Sequence, residues 1–131
     1  MFSTYASPSK MYQTLEVESS VENAKPLTLV VMLYDGAIRN INEAIIALSA
    51  GNIPAKCAAI GKAIRIIEEG LRASLDRKVG KISTSLNELY QYMCNRLLIG
   101  HVKNDAAPLR EVIDLLTPLR DAWRTLEQGR N

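Results

Sequence analysis

Beyond residue 25, the apolar residues of this chain recur every third or fourth position in runs that only helices accommodate. Leu27, Val31, Tyr34, Ile38, Ile41, Ile45 and Leu48 step by four and three without a miss. Such spacing keeps one side of a 3.6-residue helix apolar, whereas a half-buried strand needs strict alternation. Pro26 suits a first helical turn, where a missing N–H costs nothing, and Gly51 suits the left-handed residue that ends a helix. The pattern predicts a helix over 26–50. Asn52 serves as a cap for a second helix with Pro54 in its first turn. Ile53, Cys57, Ile60, Ile64, Ile67 and Leu71 carry that helix over 53–76. Ile82, Leu86, Tyr90, Met93 and Leu97 predict a third over 82–102. Asp105 as N-cap, followed by Leu109, Val112, Ile113, Leu116, Leu119, Trp123 and Leu126, predicts a fourth over 106–126. Pro118 falls inside the fourth and predicts a kink, because it removes one backbone hydrogen bond. Gly61 and Gly70 each cost about 1 kcal/mol relative to alanine inside a helix, which points to close backbone packing at both.

Long helices joined by short connections pack antiparallel, so the expected fold is all-α, an antiparallel up-down four-helix bundle. Residues 1–10 have no apolar period and read as a mobile lead-in, while 11–21 read as a short N-terminal helix or cap that needs a surface to lie on. Residues 11–131 then make a single domain, and a chain of this length buries about two thirds of its unfolded surface. Apolar residues form 47% of the sequence with one Phe and one Trp, so the core must be aliphatic.

The stretches "LYDGA" at 33–37 and "LNELYQYMCNRLL" at 86–98 carry more large apolar groups than one buried stripe needs. A core stripe is little more than about 100° wide. Tyr92, Leu98, Ile99 and Val102 fall off the stripe of the third helix, Leu29, Met32 and Leu33 off that of the first, and Ile66 off that of the second. Clustered, such residues form a patch for another chain, and an amphipathic partner segment laid in a groove is the matching mode of recognition. The plainer reading is that they pack at the corners of the bundle or lie beneath the N-terminal segment through Tyr12 and Leu15.

Catalytic and metal chemistry lack a constellation. The one histidine, His101, reads as a surface or capping group at a helix end. No Glu-x-x-His pair or phosphate-cradling glycine loop occurs, and the adjacent acids Glu68 and Glu69 read as a solvated face. Cys57 and Cys94 have no metal-ligand spacing and read as two buried thiols in a reducing compartment. No cofactor is expected. Lys and Arg total 16 against 14 for Asp and Glu, a net charge of +2 with the signs interspersed, which argues against a nucleic-acid binder. No basic and apolar leader opens the chain, and no apolar run approaches the ~20 residues of a membrane span, so a cytoplasmic protein is expected.

Five stretches together resemble the flagellar secretion chaperones, the FliS family: "YQTLEVES" at 12–19, "MLYDGAI" at 32–38, "KAIRIIEEGLRASLD" at 62–76, "LNELYQYMCNRL" at 86–97 and "NDAAPLREVIDLLTPLRDAW" at 104–123. Each alone is an ordinary helical pattern, and the specificity lies in their order and spacing. The resemblance implies a bundle without catalysis that holds the C-terminal region of flagellin, disordered before assembly, prevents its premature polymerisation and helps deliver it to the flagellar type III export gate. It also implies that the client wraps the bundle and docks short helices in apolar grooves, which fits the off-stripe residues, and of these Leu29, Met32, Leu33, Ile66, Tyr92, Leu98 and Ile99 are the candidate anchors. The N-terminal segment, with Tyr12 at the position of the family's tyrosine and Leu15 beside it, would cover part of that surface. The chain departs from the family at "AKP" (24–26), where many members have a Ser or similar cap before the proline, and at "RKVGKIS" (77–83), where an acidic or doubled-glycine pattern is usual. The alternative is a structural bundle that spends the same surplus on a homo-oligomer, down to a weak homodimer.

Overall fold

A computed structural model describes residues 26–75 and 80–129. They form four helices and no strand: α1 (Pro26–Ser49), α2 (Ile53–Arg65), α3 (Lys81–Lys103) and α4 (Ala106–Gly129), with a π-helical segment, Ile66–Arg72, continuing α2. Each helix packs on the next and α4 returns to α1, which is the expected up-down bundle. The expectations for residues 1–21 lie outside the described residues.

The helix ends follow local chemistry. Gly51 takes the left-handed conformation with φ 72° and reverses the chain after α1. The Asn52 side chain then accepts a 3.2 Å hydrogen bond from the Ala55 N–H, satisfying one of the free donors at the start of α2. Asn104 ends α3 at φ 52° and ψ 46°, a conformation asparagine tolerates, and Asp105 Oδ1 accepts from the Ala107 N–H at 3.0 Å to begin α4. The fourth helix is not broken at Pro118 and runs on through it to Gly129.

The core is aliphatic apart from one tyrosine pair. Leu33, Ile41, Ile60, Ile66, Ile67, Met93, Leu97, Leu109, Val112 and Leu116 are buried. Each such side chain contributes about 1.5–3 kcal/mol through removal from water. Tyr34 on α1 and Tyr90 on α3 meet across the middle of the bundle, their hydroxyls 2.5 Å apart. Burial raises both phenols above their ordinary range. The Trp123 side chain also hydrogen-bonds Tyr34, so α4 joins the same polar centre.

The buried stripes are rotated from those the spacing predicts. On α1 the buried positions include Leu33, Ala37, Asn40, Ala44 and Ala47, while Ile38, Ile45 and Leu48 are half-buried. The reason is that α1 packs against α2, α4 and the π segment together, so its buried face is wider than one seam. Alanines on the facing surfaces (Ala37, Ala44, Ala59, Ala63) let backbones approach closely. Asn40 is accommodated because its Nδ2 donates to the Gly36 carbonyl at 2.8 Å.

On α2 the buried face centres on Lys56, Ala59, Ile60 and Ala63, leaving Ile53 and Cys57 exposed. The expectation of two buried thiols therefore holds for Cys94 alone. Lys56 turns inward because its Nζ donates to the His101 carbonyl at 3.0 Å and to Asn104 Oδ1 at 2.5 Å, capping the end of α3. A cation there also complements the negative end of the helix dipole. Ile66 follows Ala59 and Ala63 by steps of four and three and so shares the buried face of α2, which the π segment continues through Ile67, Gly70 and Leu71. Leu33 and Ile66, expected off the core stripes, are thus core residues. Gly70 sits against Leu33, with a Cβ position 2.9 Å from Leu33 Cδ2, as its cost inside a helix suggests. Gly61 is the opposite case: it has open space where a Cβ would stand.

Candidate functional site

At one end of the bundle the expected seams of α3 and α4 are left uncovered. Ile82 opens α3 with 65% of its surface exposed, and Leu126 closes α4 with 53% exposed. They lie at one end of the bundle and, with Lys81, Ser85, Leu86, Leu119, Ala122 and Trp123, line a groove of about 430 Å³ between α3 and α4. Its walls are mostly hydrocarbon, with Lys81 at the rim. Trp123 forms part of the wall while its side chain reaches Tyr34, so the groove is anchored to the bundle centre. A cleft of this chemistry takes the apolar face of a peptide or helix.

Farther along α3, Tyr92, Leu98, Ile99 and Val102 are exposed, as their off-stripe positions predict. At about 100° per residue they span an arc of about 120° on the outer face of the helix. Among them Tyr92 is fixed. Its hydroxyl donates to Glu111 Oε2 on α4, and Arg96 Nε donates to Glu111 Oε1 at 2.6 Å. These bonds hold the Glu111 carboxyl below the usual carboxylate range, the tyrosine bond having the larger effect, and raise the Tyr92 phenol.

The remaining anchors expected from sequence are placed differently. Leu29 is half-buried and packs on the core, and Met32 is half-buried on α1. Leu33 and Ile66 are fully buried and unavailable to a partner. Tyr12 and Leu15 lie outside the described residues. The groove residues Ile82, Leu119, Trp123 and Leu126 were missed as a surface, because their spacing places them on a seam. The available signal was position: a seam at a helix end has fewer neighbours to cover it.

A second concavity of about 440 Å³ lies at the other end, lined by Ile45, Leu48, Ser49, Lys103, Asn104, Asp105, Ala106 and Arg110. Its lining is as polar as it is apolar, which suits a hydrophobic segment poorly. Glu68 and Glu69 are half-buried rather than free in solvent, and Glu68 Oε1 accepts from Arg72 Nη1 at 2.6 Å. Burial and the neighbouring Glu68 push the Cys94 thiol up to about 12, so it stays protonated and unreactive. Among the described residues no three His, Cys, Asp or Glu side chains gather as a metal site, and no helix is long and apolar enough to cross a membrane.

The model of the flagellar protein FliS family matches residues 8–130. The flagellar secretion chaperone FliS of Salmonella typhimurium is 44% identical over 122 residues, covering 92% of this chain and 90% of that protein. The protein of the same name from Escherichia coli is 37% identical over 120 residues, with 91% and 88% covered. That from Bacillus subtilis is 36% identical over 112 residues, with 86% and 83% covered. With a family match along nearly its whole length and relatives of this closeness, the chain belongs to the FliS family of flagellar proteins.

Proposed function

We propose that the protein is a cytoplasmic export chaperone that binds the disordered C-terminal region of flagellin, prevents its premature polymerisation and supports its delivery to the flagellar type III export gate. The observation that carries this reading is the apolar groove between α3 and α4, open beside Ile82 and Leu126. The exposed row of Tyr92, Leu98 and Ile99 lies on the same α3. One extended client meets both surfaces by following α3. Leu29 and Met32 contribute at the margin of α1, whereas Leu33 and Ile66 act only by supporting the core. Family resemblance adds Tyr12 and Leu15 as competitors for part of the client surface, and family names add the flagellar setting.

Ordering a disordered segment offsets much of the gain from burying its apolar groups. The complex therefore combines a large interface with moderate affinity, which suits a client that is later released. Titration calorimetry against the C-terminal segment of flagellin from the same organism tests this. One-to-one binding with a strongly negative heat-capacity change is expected, weakened by Ile82→Asp, Leu126→Asp and Leu98→Asp. Absence of binding together with an obligate dimer in sedimentation would instead assign the exposed apolar surface to self-association.

A further inference from the structure

On α3, Ile82, Ser85, Leu89, Tyr92, Arg96 and Ile99 follow one another by three and four and so share one side of the helix. Ile82 and Ser85 line the groove with α4, and Tyr92 and Arg96 reach Glu111 on α4. This side of α3 therefore borders the cleft between the two helices at both places, while Tyr92 still presents its ring outward. The cleft is open at Ile82 and bridged at Tyr92, which stands about 15 Å farther along the axis at 1.5 Å per residue.

Both oxygens of Glu111 are engaged within the protein, Oε2 by the Tyr92 hydroxyl and Oε1 by Arg96 Nε at 2.6 Å. Tyr92 keeps 44% of its surface exposed despite this bond. Its ring is thus available to a partner while its hydroxyl is held. We propose that Glu111 is a positioning residue for partner binding, its carboxylate fixing the exposed Tyr92 ring at the α3–α4 cleft beyond the groove, where a client following α3 packs on it. This rests on the groove being the client surface proposed above.

Without the bond, an exposed tyrosine on a helix samples several rotamers, and a partner that packs on the ring must select one of them. A ring fixed beforehand spares that ordering cost. Arg96 shares the carboxylate, its Nε donating to Oε1, and so helps to orient it. The effect passes through Tyr92, because the Tyr92 hydroxyl is bound to Glu111 Oε2 and the ring it carries is the exposed surface.

The test is calorimetric titration of the C-terminal flagellin segment into the full-length protein and its Glu111→Ala, Tyr92→Phe and double variants, with a melting curve for each. Tyr92→Phe keeps the ring and removes only the hydroxyl. Each single change is expected to weaken binding about 3- to 10-fold, the scale of ordering one side chain at an interface. The double change is expected to bind no more weakly than either single one, since all remove the same bond, and the binding loss should appear without a matching loss of melting temperature. Unaltered binding by Glu111→Ala overturns the proposal, and so do losses that multiply in the double variant, which would mean that Glu111 acts independently of Tyr92. Ile82→Asp separates the two levels. If it binds normally, the groove assignment itself fails and this inference with it; if it binds poorly while Glu111→Ala does not, only the role of Glu111 is lost.

Discussion

Gly100 on α3 lies so close to Leu109 on α4 that a Cβ on the glycine would stand 2.9 Å from Leu109 Cδ2. The same Cβ would stand 2.9 Å from the Asp105 carbonyl oxygen, which is backbone and has little room to yield. The connection between the two helices is tight because this position carries no side chain. Gly100→Ala is expected to destabilise the protein by about 1–3 kcal/mol, the usual cost of overpacking. Gly61→Ala places its methyl in open space on an exposed face of α2 and is expected to stabilise by up to about 1 kcal/mol. Denaturant midpoints of the two variants should move in opposite directions.

Lys56 is buried at 3% exposure and donates to the His101 carbonyl and Asn104 Oδ1 at the end of α3. Lys56→Met keeps an apolar stem but leaves both acceptors without this donor. A loss of about 1 kcal/mol is expected, the net worth of a hydrogen bond whose acceptors water can reach. Amide exchange should quicken first around residues 101–105, and no change there would show that solvent replaces the ammonium without cost.

The two thiols should separate cleanly. Cys57 is exposed and Cys94 buried, with its thiol pushed up to about 12 by burial and by Glu68. A thiol reagent should modify one cysteine in the native protein and the second only after unfolding. The same shift sets a pH trend. In the unfolded chain the Cys94 thiol ionises near its ordinary value of 9.0, whereas in the folded chain it does so only near about 12. Its contribution to stability is therefore fully present below pH 9.0 and is lost as pH rises toward 12. Raised phenols at Tyr34 and Tyr90 act in the same direction. Melting temperature should fall above pH 9, and less steeply in Cys94→Ala once its lower starting stability is subtracted.

Trp123, the single tryptophan, lines the groove. A segment that fills the groove removes water from the indole, so binding of the flagellin C-terminal segment should shift its emission to shorter wavelength and shield it from a soluble quencher. Binding with unaltered emission would place the client elsewhere on the bundle.

How much of this was open to reading from the residues alone depends on the range of the forces involved. Helix identity and order follow from three-and-four spacing and from Pro26, Gly51, Asn52 and Asp105, whose effects act within a turn or two of their own position. The exposed row of Tyr92, Leu98 and Ile99 was legible for the same reason, since angular position on one helix is a local property. Burial is decided between helices. Leu33 entered the core because α1 is flanked by both α2 and α4, and Ile66 did so because the buried face of α2 runs through Ala59 and Ala63 rather than along the predicted seam. Alanines that carry little weight in an apolar pattern set how closely the helices approach. Ile82 and Leu126 sit in step with the core yet form the groove, because spacing cannot report where a neighbouring helix stops covering a seam. The chain's own sequence thus determined which segments become helices and which faces are apolar, and tertiary packing alone decided which part of that apolar surface remained for a partner.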